Sequence, residues 1–200
     1  MIKHVTSFLA IAFLSLGANA SVIFADNFDS EGAAGASVTN YTGFSNWTVS
    51  DGSVDLIATP NGWGLSCAGG KCVDLDGSSQ NAGVLTSSSL FLSAGTYSLS
   101  FDISGNQRGG ADSFVLALGG FLNESFNLAA SDPWQTITRS FTVGSDTSNS
   151  IIFNHAGGDN IGVMLDNISL SKVDVPEPGT LLLLGFGLLG LGAARRKARK

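Results

Sequence analysis

The residues able to do chemistry in this 200-residue chain are carboxylates, one cysteine pair, a histidine and a few loop aromatics and donors. Asp74-x-Asp76-Gly77-Ser78 sets two acids on one side of a strand end, just before a turn. Hard oxygens so placed suit calcium, which takes about six to eight oxygen ligands. The fragment lacks the later ligands and closing Glu of an EF-hand loop, so an ion there needs oxygens from elsewhere. The same acids also read as turn formers and solvated strand ends.

Trp63 stands in Asn61-Gly62-Trp63-Gly64, a loop too rich in glycine to bury an indole easily. An aromatic face there can stack on the apolar face of a pyranose; partly buried packing is the other reading. Asn106, Gln107 and Arg108, between Gly105 and Gly109, can present a fork of donors to sugar hydroxyls. Arg108 can instead pair with Asp112 or another acid. Trp47 and Trp134 each adjoin an alternating run and are expected in the core or at a strand edge.

Catalysis has less support. His155 is the one histidine beyond His4, and no nucleophile-elbow motif accompanies it. A glycosidase needs two placed carboxylates, but sixteen acids always permit some pair. There is no HExxH, Walker loop or dinucleotide fingerprint. The expectation is a chain that is not an enzyme.

The elements that must position these residues are strands. Tyr97, Leu99, Phe101 and Ile103 alternate with Ser98, Ser100 and Asp102, and Ile137, Phe141 and Val143 alternate with Thr136, Thr138, Ser140 and Thr142. Period-two alternation between Gly- and Asp-rich turns recurs, and no helical periodicity is sustained. Strands are expected at 95–103 and 134–143, and at 21–28, 46–50, 53–58, 71–76, 83–92, 113–118, 121–127, 149–154 and 161–171. Short strands at this spacing predict an all-β fold, a single β-sandwich. Ile161, Val163 and Leu165 share one parity, whereas Ile168 and Leu170 take the other. A β-bulge at Asp166 and Asn167 reconciles them; a strand buried on both faces is the alternative.

The two ends carry addresses. A basic start, an apolar run from Val5 to Gly17, and Ala18-Asn19-Ala20 form a secretory signal, with signal peptidase cutting after Ala20. The resulting domains are a signal peptide at 1–20, a sandwich at 21–172, a Pro-containing linker at 173–180, a transmembrane segment at 181–194 and a basic cytoplasmic tail at 195–200. From Gly179 to Ala194 a helix spans about 24 Å, slightly short of a hydrocarbon core, and the terminal arginines and lysines can snorkel to make up the difference. The basic end stays cytoplasmic and the body outside. An ordinary tail anchor is the competing reading.

All sixteen acids lie between Asp26 and Glu177, against Lys71, Arg108, Arg139 and Lys172 in that span, a net charge of −12. Such a body excludes nucleic acid as a partner, because phosphates require Lys and Arg. In an exported chain Cys67 and Cys72, separated by Ala-Gly-Gly-Lys, are expected to be oxidised to each other. Their spacing is neither a CxxC redox motif nor a complete zinc site.

Pro176-Glu177-Pro178, the apolar block from Leu181 and the basic end together resemble the PEP-CTERM sorting signal of Gram-negative bacteria. That resemblance implies recognition by an exosortase-type enzyme and cleavage near Pro176-Glu177-Pro178. The protein would be held briefly at the inner membrane, then released to the cell surface or extracellular matrix. Lys71 to Ser78, Gly95 to Asp102 and Met164 to Leu170 look like galactose-binding-like jelly-roll domains, common in secreted carbohydrate-binding modules. By that likeness a structural calcium would sit between the first and last strands, which makes Asp26, Asp29, Glu31 and Asp166 candidate ligands alongside Asp74 and Asp76. The function so implied is non-catalytic binding of an extracellular polysaccharide. The alternatives are a purely structural or adhesive matrix protein and an extracellular carbohydrate-active enzyme.

Overall fold

The computed structural model describes residues 20–173, together with Gly187 and Arg195. Ala18, the sorting residues Pro176 to Pro178, the transmembrane segment and the basic tail as a whole lie outside the described residues. No helix among the described residues is long and apolar enough to cross a membrane.

The chain forms β1 (Ala20–Asp26), β2 (Trp47–Ser50), β3 (Asp55–Ala58), β4 (Lys71–Asp74) and β5 (Val84–Ser87). There follow β6 (Leu90–Leu92), β7 (Gly95–Ser104), β8 (Ala111–Leu118), β9 (Leu122–Ala129) and β10 (Gln135–Val143). The last three are β11 (Thr147–Asn149), β12 (Ile151–His155) and β13 (Met164–Val173). One sheet runs β10-β7-β13-β4-β3 with β1 added to β13, and the other runs β2-β5-β12-β8-β9. The two pack as a β-sandwich of jelly-roll type.

The alternating runs fall as the pattern requires. Tyr97, Leu99, Phe101 and Ile103 are fully buried, while Ser98, Ser100 and Asp102 face outward. Between the sheets the core is strongly aromatic: Phe101 meets Phe153 edge-on at 5.4 Å, and Trp47 meets Phe24 edge-on at 5.4 Å. Such pairs contribute about 0.5–1.5 kcal/mol each beyond the area they bury. At one margin Arg139 of β10 grips Glu124 of β9 with two hydrogen bonds, tying an edge of one sheet to an edge of the other.

β13 is bulged. Its register against β7 shifts between Asp166 and Ser169, and Asn167 takes φ 51°. The shift turns both Leu165 and Ile168 into the core, as their parity demanded. Upstream of the bulge the strand is also buried on its other face, where Met164 joins Ile57, Leu65 and Cys72 in a second small cluster.

Three expected strands need correction. The 83–92 run is two strands, because after Ser87 the chain leaves one sheet and β6 pairs with β11 instead. The 149–154 run divides at Ser150 for the same reason. The corner is held by Ser87, whose Oγ accepts the Ile151 N–H at 2.9 Å. The 161–171 strand begins only at Met164; before it, the Val163 carbonyl accepts the Leu75 N–H at 3.1 Å from outside any strand.

Candidate functional site

Three loops meet beside β7: 59–70, 105–110 and 130–134. Asn106 builds the middle one. Its Oδ1 accepts the N–H groups of Arg108 and Gly109, and its Nδ2 donates to the Gly109 carbonyl and to Asp112. Being 1% exposed, Asn106 shapes the loop and has no donor left for a ligand. Gln107 is forced into the left-handed region at φ 60°. That turn lets its amide cross to Ser66: Oε1 accepts the Ser66 N–H at 2.9 Å, and Nε2 donates to the Ser66 carbonyl at 2.8 Å. The backbone N–H of Gln107 donates to the Ala130 carbonyl and that of Gly105 to the Asp132 carbonyl, so the second and third loops are zipped together.

These contacts frame an open cleft of about 520 Å³, walled by Ser66, Ser104, Gln107, Arg108, Ser131 and Trp134, with Pro133 at its side. Trp134 is half-buried against the second hydrophobic cluster. Its indole N–H donates to the Ser66 carbonyl at 3.0 Å, which pins the ring in place. Arg108 reaches across to Asp74 through Nη2. Its partner is thus Asp74, thirty-four residues away, while Asp112 is engaged by Asn106.

The cleft therefore brings together Gln107 and Arg108 but not Trp63. Trp63 is 46% exposed and lies outside the walls, held by its backbone N–H on Asn61 Oδ1. Trp134, expected in the core or at a strand edge, supplies the aromatic wall instead. A signal for it existed: Asp132-Pro133-Trp134 is a turn sequence that ends the loop before β10. Trp47 is in the core at 4% exposure, its indole N–H on Asp26 Oδ2 at 3.0 Å. Cys67 and Cys72 are joined in a disulfide, and Cys72 sits in the cluster beneath Trp134.

The carboxylates proposed for calcium do not gather into one oxygen shell. Among the described residues, no group of three or more His, Cys, Asp or Glu side chains is placed to share an ion. Asp26 accepts from Phe28 N, Asn46 Nδ2 and Trp47 Nε1. Asp29 accepts from Asn27 Nδ2 and Lys71 N, and Glu31 from Ser45 N and the Tyr41 hydroxyl. Near them the buried Lys71 side chain donates to the Glu31 and Ala33 carbonyls.

The remaining acids are buried. Burial raises Asp74 to about 8, outweighing the attraction of Arg108. It raises Asp76 to about 6, and neither Asp76 oxygen has a hydrogen-bond partner. Asp166, beneath the bulge, is raised to about 7 by burial, with the charges of Asp29 and Asp102 adding to the effect. His155 is 5% exposed, 3.9 Å from Asp76, and burial lowers its pKa. Its ring nitrogens face the backbone N–H groups of Gly157 and Val163. Among the described residues, no hydroxyl group is hydrogen-bonded to it.

Comparison with known proteins places both parts of the chain. Residues 174–197 match the PEP-CTERM protein-sorting motif. The C-terminal end thus carries a sorting motif. The motif implies a secreted, surface-targeted protein. The body is similar in fold to the xylan-binding domain CBM22-1 from Paenibacillus barcinonensis Xyn10C, at 11% identity and TM-score 0.51, over 80% of this chain and 99% of that one. It is also similar to the tandem CBM22-1-CBM22-2 domain of the same protein, at 11% identity and TM-score 0.53, over 82% of this chain. The chain spans 48% of that tandem. These likenesses show the fold of the body, a β-sandwich of jelly-roll type. No curated protein matches the sequence.

Proposed function

We propose that this PEP-CTERM protein is sorted and cleaved by an exosortase-type enzyme, and that its body then binds an extracellular polysaccharide without altering it. The single observation that carries the binding half is the pinned Trp134 ring walling an open cleft beside Gln107 and Arg108. A volume of about 520 Å³ lies within the usual range for ligand sites, which combine an apolar wall with a few placed polar groups. An immobilised indole offers a flat apolar face to the axial C–H groups of a pyranose at little entropic cost. Arg108 donates to Asp74 through one nitrogen, which leaves further N–H donors for sugar hydroxyls. The fold is one that also serves a xylan-binding domain, so neutral β-linked glycans are the first ligands to try.

The test is a glycan array probed with residues 21–173, a unit with its own hydrophobic core. Binding to at least one polysaccharide, weakened about tenfold or more by Trp134→Ala, is expected; tenfold corresponds to about 1.4 kcal/mol. Repeating the array with calcium and with a chelator tests the ion separately. For sorting, intact-mass measurement of the released protein is expected to show loss of Arg195 to Lys200. A mature form that keeps them contradicts cleavage.

A further inference from the structure

The chain enters and leaves the sandwich at one end. Ala20, where β1 begins, pairs with Val173, where β13 stops, and Val173 pairs in turn with Thr96 at the start of β7. The short β6-β11 pair and the turns beside it complete this end. There the Ala94 N–H donates to Asp146 Oδ1 at 2.9 Å, and the Lys172 ammonium donates to the Ser93 hydroxyl at 2.7 Å. The cleft lies at the other end, because β7 runs from Gly95 to Ser104 before the 105–110 loop begins. The 130–134 loop likewise precedes Gln135, which pairs with Ile103.

Two properties separate the ends. Val22, Ile23 and Phe91 are three of the four exposed large hydrophobic residues among the described residues, with Phe91 at 63% and Val22 at 62%. All three stand where the chain enters and leaves: Val22 pairs with Ser171, Ile23 follows it in a register shift of β1, and Phe91 pairs with Ser148. The fourth, Trp63, belongs to the 59–70 loop at the cleft end. A single exposed hydrophobic residue is ordinary; the shared end is the observation. Charge divides the same way. Residues 20–23, 90–96, 118–122, 142–149 and 171–173 hold one acid, Asp146, and one base, Lys172. Asp55, Asp74, Asp76, Asp112, Asp132 and Asp159 stand at or beyond the strand ends of the cleft side.

We infer that this end of the sandwich rests on the lipid surface that the C-terminal apolar block enters. The inference stands on the sorting proposal, which puts that block in a bilayer. Chain length selects the occupant. Only Asp174 to Thr180 separate Val173 from Leu181, and fully extended that stretch spans about 25 Å. β13 alone has ten residues, about 33 Å of strand, and the cleft loops lie beyond it. With the block inserted, the cleft end cannot be turned down onto the bilayer, whereas Phe91 and Val22 are always within reach of it. The acids of the cleft end are then held away from anionic headgroups, which attract bases and repel carboxylates. Phe91 and Val22 enter the interface as the apolar side chains of membrane-surface segments do. The cleft opens outward, toward polysaccharide.

The test uses residues 21–200 in vesicles of phosphatidylethanolamine and phosphatidylglycerol whose acyl chains carry bromine, a short-range quencher of tryptophan emission. Co-flotation with the vesicles is expected, and it reads insertion of the tail by itself. Phe91→Trp adds an emission that bromine should quench by about half or more, as for a side chain at the acyl boundary. Val22→Trp should behave in the same way and guards against a Phe91 variant that fails to fold. Native Trp63 and Trp134, at the cleft end, should keep their emission. Protein that floats while bromine leaves both new tryptophans untouched overturns this inference and leaves the sorting proposal standing. Protein that does not float overturns both. Native tryptophans quenched as strongly as the new ones overturn the end-on posture. New emission that changes with the protein-to-lipid ratio but not with bromine makes a second copy the occupant and overturns the inference too.

Discussion

Gln107 and Ser66, forty-one residues apart, clasp each other through both ends of one amide. The Ser66 carbonyl also takes the Trp134 indole N–H at 3.0 Å, so one backbone unit holds two walls of the cleft. Gln107→Ala removes the clasp and leaves Trp134 on a loosened anchor. Because the pair is exposed, the expected loss of stability is small, about 1 kcal/mol. The expected loss of glycan affinity is larger, near that of Trp134→Ala. Denaturant titration alongside a binding isotherm checks the split. Equal and negligible losses in both would show that the clasp does not organise the cleft.

The buried acids give the fold an unusual pH dependence. Asp76, Asp166 and Asp74 titrate at about 6, 7 and 8 in the folded protein, against 3.8 for an ordinary Asp. Between those limits the folded state binds more protons than the unfolded state, so stability falls as pH rises. His155 works the other way. Its pKa is lowered by burial, so its penalty is full below the folded value and disappears above 6.5. The net expectation is a melting temperature that declines from about pH 6 to pH 8, read by calorimetry. Asp76→Asn should flatten the lower part of the decline and Asp74→Asn the upper part. A melting temperature that climbs across this window contradicts the burial.

Lys71 is expected to be a structural cation. Lys71→Met keeps the length of the side chain but strands the Glu31 and Ala33 carbonyls. Hydrogen bonds to charged groups contribute about 1.5–3 kcal/mol, so a loss of that size in chemical denaturation is anticipated. A fully stable Lys71→Met protein would show that those carbonyls are satisfied in another way.

Reducing the Cys67–Cys72 bridge opens a loop of five residues' separation. Closing so short a loop stabilises a fold by only about 2 kcal/mol on the chain-entropy estimate. Serine at both positions should therefore lower the melting point modestly. It should weaken glycan binding more, because the bridge ends one residue from Ser66.

Local pattern carried the strand content, and for a physical reason. In β7 and β10 each side chain's face is decided by its immediate neighbours, so alternation alone buries Tyr97 and exposes Ser98. The bulge at Asp166 was legible for the same reason, since a change of parity cannot be hidden. What could not be read was long-range pairing. Whether the chain leaves one sheet after Ser87 depends on Ile151, sixty-four residues on. Arg108 pairs with Asp74, thirty-four residues away, while Asp112, nearer in sequence, accepts from Asn106. Trp63 and Trp134 both stand in loops, and only the arrangement of three loops decides which ring walls a cleft. The sorting motif stands apart, since a short linear signal is legible without any fold.

The central claim is that Trp134, Gln107 and Arg108 form a polysaccharide-binding cleft, and affinity electrophoresis through polysaccharide-loaded gels tests it most directly. Residues 21–173 should be retarded by at least one neutral β-linked polysaccharide, with the retardation lost in Trp134→Ala and retained in Trp63→Ala. Migration unaffected by every polysaccharide, or retardation that survives Trp134→Ala, contradicts the account.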